Sequence, residues 1–370
     1  MSPQPSFSRP LAALYAALIV YASLFPFSGW RSQGVAPWAY LPAPWPRYWT
    51  GFDLAINTLG YLPFGFLLVL ALAPPLRQGV ALALATAGAT LLSFTMESLQ
   101  SYLPLRVPSN VDLGLNALGA LLGALLAIVL EHLGWIGRWR RLRARWFVPD
   151  ARGTLVLLAL WPIGLLFPPP IAYGMGQIYE RAEEALARLL QGTPFLEWLP
   201  LREIEFQPLL PNAEIACVAL GALIPALLGY TAIEPRRRRL LFAALALGAG
   251  VAVSALSTLL TYGPQHAWAW VTPPVRWGLP MAALAAVLLQ RRSRRLCSVL
   301  LVAALLGQLA LLNMAPQNPY YASTLQVWEQ GRFIHFFGLA QWVGWLWPWA
   351  ALVFVLARLR AAWRVPRIMA

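Results

Sequence analysis

Residues 111–131 read VDLGLNALGALLGALLAIVLE, an apolar run whose charged residues, Asp112 and Glu131, lie at its two ends. An α-helix of about 20 residues crosses the ~30 Å hydrocarbon core of a bilayer, so this run can form one membrane span. Similar runs recur along the 370-residue chain. They lie at 10–28, 53–73, 79–97, 153–168, 213–233, 240–262, 275–290, 296–313 and 333–357. The sequence therefore predicts an all-α, polytopic transmembrane helix bundle with about ten spans.

The composition indicates the same class of protein. Hydrophobic residues make up 59% of the chain and charged residues 11%, whereas soluble domains average roughly 45–50% apolar and about 25% charged residues. A soluble fold of this length cannot bury so much apolar surface, because a substantial part of any chain stays exposed after folding. Lipid must therefore solvate part of this protein.

Positive charge is distributed unevenly along the chain. The formal net charge is +14, and all 28 basic residues are arginine. Twenty of the arginines lie at 138–145 with Arg152, at 236–239, at 291–295, at 358–367, and at Arg9 and Arg77. Arginine-rich short loops mark the cytoplasmic side of a membrane, and threading the spans between these clusters places both termini in the cytoplasm. This topology explains the charge without a nucleic-acid partner.

The sequence carries no recognised pattern for catalysis, for a metal or for a cofactor. It contains no phosphate-binding loop, no G-x-S-x-G, no H-E-x-x-H and no Cys/His spacing typical of a metal site. The two cysteines, Cys217 and Cys297, fall near opposite ends of their spans, so no disulfide is expected. We expect no catalytic residue, no metal and no cofactor, although an enzymatic role stays open at this stage.

Two membrane domains are predicted. Residues 1–150 are expected to form a four-helix domain, and residues 151–370 a second domain of about six helices. The second domain contains an outer segment at 169–212 in which apolar residues share one helical face, as in an amphipathic helix that lies in the membrane interface. A solvated structural lid is the alternative interpretation of this segment.

Short repeats relate several of the predicted helices. Residues 53–60 read DLAINTLG and residues 112–119 read DLGLNALG, so both carry D-L-x-x-N-x-L-G at the outer start of a span. Residues 212–228 read NAEIACVALGALIPALL and can be aligned with 110–126, NVDLGLNALGALLGALL, but Val218 replaces the asparagine. The second domain is therefore a candidate for a diverged copy of the first.

Polar and ionisable residues collect at the outer ends of the second, third and fourth spans. Asp53 and Asn57 are four residues apart and share a helix face, as do Asp112 and Asn116. The candidate ligand-binding residues are Asp53, Asn57, Glu97, Gln100, Arg106, Asp112 and Asn116. Three interpretations stay open. Asp112 could cap and stabilise a helix start while Arg106 neutralises a carboxylate, the set could bind a polar or phosphorylated headgroup, or the carboxylates could perform acid–base or metal-assisted chemistry.

Two segments closely resemble the VanZ-like family: GFDLAINTLGYLPFGFLL (51–68) and ESLQSYLPLRVPSNVDLGLNALGALLG (97–123). The shared pattern is E-x-x-Q, an arginine in the next loop, D-x-x-x-N-x-x-G and an upstream D-x-x-x-N, over roughly residues 10–135. The resemblance implies a protein of the bacterial plasma membrane, and it carries over the seven candidate residues. The family's named member is associated with low-level teicoplanin resistance, so a link to glycopeptide resistance is implied in the same way. The six further spans depart from the small members of the family.

Three functional hypotheses follow. The first is a non-enzymatic membrane protein that binds an envelope lipid or a lipid-linked cell-wall precursor at the outer face. The second is a transporter or flippase for such a lipid or for a small polar substrate, and the third is a membrane enzyme acting on lipid-linked substrates. The position of the polar residues at span ends favours the first hypothesis, because transport sites usually lie near the bilayer midplane.

Overall fold

The computed structural model describes most of the chain. It covers residues 8–24, 27, 29–45, 51–73, 76–104, 106–198, 209–234, 236–262, 264–315 and 334–364. Over these residues the regular secondary structure is helical, and the one β pairing is an isolated antiparallel bridge between Phe147 and Ile233. The prediction of an all-α fold is confirmed.

Twelve α-helices follow one another in the described residues. They are α1 (Ser8–Leu24), α2 (Gly51–Leu72), α3 (Gln78–Gln100), α4 (Asn110–His132), α5 (Trp135–Trp146), α6 (Arg152–Leu166), α7 (Tyr179–Leu190), α8 (Pro211–Ala232), α9 (Arg236–Tyr262), α10 (Pro273–Leu289), α11 (Arg294–Asn313) and α12 (Ile334–Arg364). Short 3₁₀ turns at Pro194–Trp198 and Pro264–His266 accompany them.

Seven of the described helices are long and apolar enough to cross a membrane, namely α2, α3, α4, α8, α9, α11 and α12. The apolar helices α1, α6 and α10 are shorter, at 17, 15 and 17 residues. The chain is therefore a multi-pass membrane protein. The count of ten spans and the cytoplasmic position of both termini stay predictions.

The chain divides into two compact units, Met1–Leu142 and Arg143–Ala370. In the first unit, α4 packs against α2 and α3, and α1 packs against α2. Glycines allow α2 and α4 to approach closely: a Cβ on Gly119 would collide with the Thr58 carbonyl, and one on Gly123 with the Leu62 carbonyl. The small-xxx-small pattern of α4 thus forms a tight helix contact.

In the second unit, α8 is almost entirely buried and packs against α10 and α11, while α6 packs against α12. The connection from α6 to α7 is not helical at residues 167–178, and it packs into the core of this unit. Tyr173 in this connection is fully buried with φ of 63°, and Gly176 has φ of 100°. The amphipathic helix α7 follows at Tyr179–Leu190.

Side chains of the second unit hold the buried connection in its irregular conformation. Gln308 Nε2 donates to the Tyr173 carbonyl at 2.7 Å, and Asn313 Nδ2 donates to the Gly176 carbonyl at 3.2 Å. Gln177 Nε2 donates to the Ala315 carbonyl at 2.9 Å. Buried backbone outside a helix requires such partners, because its polar groups are shielded from water.

Candidate functional site

The polar residues of the first unit meet at one end of its helix bundle. Asn57 lies near the start of α2 and bonds Asp112, which lies near the start of α4. Glu97 lies near the end of α3 and bonds Ser109, which immediately precedes α4. Since α3 runs opposite to α2 and α4, the end of one helix lies beside the starts of the other two. Residues that are far apart in sequence therefore form one polar cluster.

Glu97 is the most buried acid of this cluster, with 5% of its surface exposed. Its Oε2 accepts a hydrogen bond from the Ser109 backbone N–H at 2.9 Å. Its charge also interacts with those of Arg106 and Asp112. Burial of a carboxylate is costly unless hydrogen bonds and opposite charge compensate it, and these contacts supply both.

Ser109 is the N-cap residue of α4. Its Oγ accepts hydrogen bonds from the backbone N–H groups of Val111 at 3.2 Å and Asp112 at 3.4 Å. The serine occupies the capping position for which Asp112 was one candidate. Asp112 lies in the first turn, where its charge still favours the helix dipole, and its side chain is available for another contact.

That contact links the two D-x-x-x-N motifs. Asn57 Nδ2 donates to Asp112 Oδ1 at 2.8 Å, so the asparagine of the first motif bonds the aspartate of the second. An amide that donates to a carboxylate makes a charge-assisted hydrogen bond, which is stronger than a neutral one. The side chain of Asp53 lies outside the described part of the structure, so its predicted place in the cluster is not tested.

Asn116 extends the cluster towards the interior of the bundle. Its side chain is 6% exposed, and its Nδ2 donates to Ser93 Oγ at 2.9 Å. Its Oδ1 has no hydrogen-bond partner in the described part of the chain. Tyr61 of α2 is also buried, and its hydroxyl lies near Ser93. Buried polar atoms are nearly always paired, so this amide oxygen is an acceptor that a further donor could satisfy.

Arg106 and Gln100 connect the cluster to α1. Arg106 Nη2 donates to the Ala22 carbonyl at 3.4 Å, and Gln100 Nε2 donates to the Ser23 carbonyl at 3.1 Å. Burial lowers the pKa of the Arg106 guanidinium, and the nearby charge of Glu97 partly offsets this effect. Arginine keeps its charge at neutral pH, so a half-buried cation stands beside the buried carboxylate.

The loop at residues 29–45 crosses this end of the bundle. Asn110 Nδ2 donates to the Ala43 carbonyl at 2.7 Å, Gln33 Nε2 donates to the Ser101 carbonyl at 2.8 Å, and Ser101 Oγ donates to the Pro37 carbonyl at 3.1 Å. The loop is therefore fixed to the ends of α3 and α4. It also carries exposed tryptophans, at Trp30, Trp38 and Trp45.

The structure brings together six of the seven candidate residues: Asn57, Glu97, Gln100, Arg106, Asp112 and Asn116. Three participants were missed, namely Tyr61, Ser93 and Ser109. Helical spacing could have found the first two, because Tyr61 follows Asn57 by four residues and Ser93 precedes Glu97 by four. Within the described residues, no group of three His, Cys, Asp or Glu side chains could hold a metal ion.

The fold and the site define a multi-pass helical membrane protein with a buried polar cluster at one end of its first unit. Residues 6–131 match the family described as VanZ/LLP1. The chain thus carries a VanZ-like domain at its N-terminal side, as the sequence resemblance predicted, and this domain covers about a third of the 370 residues. Neither a curated protein nor a solved structure matches the chain.

Proposed function

We propose that the VanZ-like domain binds the polar headgroup of an envelope lipid, or of a lipid-linked cell-wall precursor, in the plasma membrane of a bacterium. The observation that carries the proposal is the buried Glu97 beside the half-buried Arg106, in a cluster where Asn116 Oδ1 has no partner among the described residues. Ionisable groups within membrane helices are commonly functional because their burial is costly.

The cluster offers complementary groups for such a headgroup. The Arg106 guanidinium can donate two parallel hydrogen bonds to a phosphate. The Asn116 oxygen and the carboxylate oxygens are acceptors for hydroxyl or amino groups. A headgroup that combines a phosphate with hydroxyl or amino groups therefore suits this set better than a simple anion does.

The loop at residues 29–45 supports a lipid as the ligand. Trp38 and Trp45 are exposed on a loop that is fixed over the cluster. Tryptophan prefers the boundary between headgroups and hydrocarbon, so these rings would stand at the depth of the phosphates. A lipid could then place its headgroup in the cluster without leaving the bilayer.

The two carboxylates of the cluster whose side chains the structure describes are both engaged by the protein. Glu97 accepts from the Ser109 N–H, and Asp112 accepts from the Asn57 amide. Fixed carboxylates of this kind suit recognition, whereas a general acid or base needs its proton-transfer position directed at a substrate. Binding is therefore the function that the geometry supports best, ahead of chemistry on the lipid.

Mass spectrometry of lipids that co-purify in mild detergent tests this proposal. Wild type should retain a specific phosphate-containing lipid, and Arg106→Ala should lose it while remaining folded. Arg77→Ala is the matched control, because this exposed arginine lies just before α3, at the other end of that helix from Glu97. An unchanged lipid profile in Arg106→Ala, or an equal loss in Arg77→Ala, would overturn the proposal.

Transport is the second candidate function, and one observation favours it. The irregular connection at residues 167–178 is buried among helices, as are the broken helices that line substrate sites in many transporters. Movement of a fluorescent lipid between the leaflets of proteoliposomes, faster with wild type than with Arg106→Ala, would make transport the better description. No movement above protein-free vesicles would exclude it for that lipid.

A role in glycopeptide resistance is a further part of the proposal, motivated by the VanZ-like domain alone. It is tested by expressing wild type and Arg106→Ala in a teicoplanin-sensitive bacterium. Higher resistance with wild type only would connect the cluster to resistance. Equal sensitivity of both strains would remove resistance from the proposal and leave lipid binding to be judged by its own experiment.

A further inference from the structure

Helix α5 stands apart from the spans because it is short and strongly basic. It reads WIGRWRRLRARW and starts three residues after the end of α4 at His132, beyond a turn in which Gly134 has φ of 71°. The helix contains five arginines and no acidic residue. With 12 residues it is too short to cross a bilayer.

Four of the five large apolar residues of α5 lie on one narrow stripe, and Ile136 lies apart from it. At 3.6 residues per turn, Trp135, Trp139, Leu142 and Trp146 fall within an arc of about 60°. Three of them are exposed, with 56% of Trp135, 59% of Trp139 and 47% of Leu142 accessible. Trp146, at the end of the helix, is partly covered by Arg238, whose guanidinium lies 5.4 Å from the ring centroid.

The arginines of α5 flank this stripe on both sides. Arg138, Arg141 and Arg145 lie on one side of it, and Ile136 and Arg143 on the other, while Gly137 and Ala144 occupy the opposite pole. Arg138 also lies 5.8 Å from the ring centroid of Trp135. A tryptophan stripe flanked by arginines is the pattern of a helix that lies in a membrane surface.

We propose that α5 lies flat in the headgroup layer, with Trp135, Trp139 and Leu142 among the acyl chains and its arginines bound to acidic phospholipids. Two observations select lipid as the occupant of this face. The helix begins within three residues of a membrane-crossing helix, and its charge is entirely positive, so it complements an anionic surface. This binding surface is separate from the polar cluster, because it lies beyond the opposite end of α4.

Depth measurements on the full chain test the orientation of α5. In a Cys217→Ala, Cys297→Ala background, Leu142→Cys and Ala144→Cys each receive an environment-sensitive fluorophore, and each protein is placed in phosphatidylcholine–phosphatidylglycerol vesicles. Both positions are exposed in the structure, yet they point to opposite sides of the helix. Position 142 should be quenched by spin-labelled lipid and protected from iodide, and position 144 should show the reverse. Equal access of iodide to both positions would show a free or protein-binding face and would overturn the proposal.

The choice of acidic lipid is tested with arginine variants that change only exposed side chains. Position 142 carries the fluorophore, and the phosphatidylglycerol content that gives half-maximal lipid quenching is measured. Arg138→Gln with Arg141→Gln should raise that content roughly fivefold or more. Arg31→Gln with Arg276→Gln removes the same charge elsewhere and should leave it unchanged. The assignment of acidic lipid would be contradicted if the half-maximal phosphatidylglycerol content stayed unchanged in the α5 variant, or if it rose equally in the control.

Discussion

Helices α4 and α8 begin with similar sequences, and each belongs to the core of its own unit. The polar side chains near the two helices, however, make different kinds of hydrogen bond. In the first unit, polar side chains of α2, α3 and α4 bond one another, and two carboxylates take part. In the second unit, the buried amides of Gln308 and Asn313 bond backbone carbonyls. We propose that the first arrangement recognises a ligand, whereas the second fixes the path of the chain.

Both helices keep one feature in common. Gly119 of α4 packs on the Thr58 carbonyl, and Gly221 of α8, which aligns with it, packs on the Tyr173 carbonyl. The aligned position three residues earlier differs, because Asn116 belongs to the polar cluster and Val218 is fully buried among apolar residues. Close packing is thus present in both units, and the polar cluster is present in the first.

The largest expected effect is a loss of stability at the shared glycines. Gly119→Ala would force a Cβ into the Thr58 carbonyl, and Gly221→Ala would do the same at Tyr173. Each substitution should lower the free energy of unfolding in detergent by about 3 kcal/mol, since backbone atoms cannot move aside as a flexible side chain can. Thermal unfolding of the purified protein measures this loss.

Gly114→Ala is the control for the glycine substitutions, because a Cβ there meets no atom within 4 Å. This variant should be slightly more stable than wild type, by about 0.5–1 kcal/mol, because alanine favours the helix. If Gly119→Ala and Gly221→Ala differ strongly in stability, close packing is not a shared property of the two units.

The second largest expected effect on stability comes from exchanging the residues at the aligned positions, Asn116 of α4 and Val218 of α8. Val218→Asn buries an amide without a partner and should lower the free energy of unfolding by about 2 kcal/mol. Asn116→Val should change it by less than about 1 kcal/mol, because it removes one hydrogen bond, to Ser93, together with a buried oxygen that has no partner among the described residues. Asn116→Val should nevertheless abolish co-purification of the specific lipid, as measured by mass spectrometry. Retention of that lipid in Asn116→Val would show that the cluster is structural.

The smallest expected effect concerns the bond between the two D-x-x-x-N motifs. A double-mutant cycle with Asn57→Ala and Asp112→Ala should give a coupling free energy of about 1.5 kcal/mol, since the bond is partly buried and charge-assisted. Gln78 and Glu131 form the same amide–carboxylate pair on the exposed surface of this unit, at 3.3 Å. A cycle there should give less than about 0.5 kcal/mol. Equal coupling free energies in the two cycles would mean that burial does not strengthen the bond between Asn57 and Asp112.

Apolar run length predicted the apolar helices well because hydropathy depends only on local sequence. The run at 111–131 became α4 at Asn110–His132, for example. Helix α5 was missed because its arginines conceal the apolar stripe from any search for continuous runs. The buried connection at 167–178 was missed as well, since a proline-rich segment resembles an outer loop until α11 is packed against it.

The polar cluster could be predicted as a set of residues but not as a set of contacts. Spacing of four residues placed Asp112 with Asn116 and predicted that both face the same neighbours. It could not show that Asp112 bonds Asn57, or that Ser109 rather than Asp112 caps α4, because the distances between helices depend on packing. The membership of Tyr61 and Ser93 was not predicted either, because it also depends on how the helices pack.

The buried connection of the second unit also sets an order of events during biosynthesis. Its carbonyls at Tyr173 and Gly176 are bonded by Gln308 and Asn313, side chains that follow them by 135 and 137 residues. At roughly 5–20 residues per second, a ribosome supplies these partners on the order of ten seconds later. Until then the connection must stay in water or beside the insertion machinery, so the core of this unit closes only after α11 has entered the membrane.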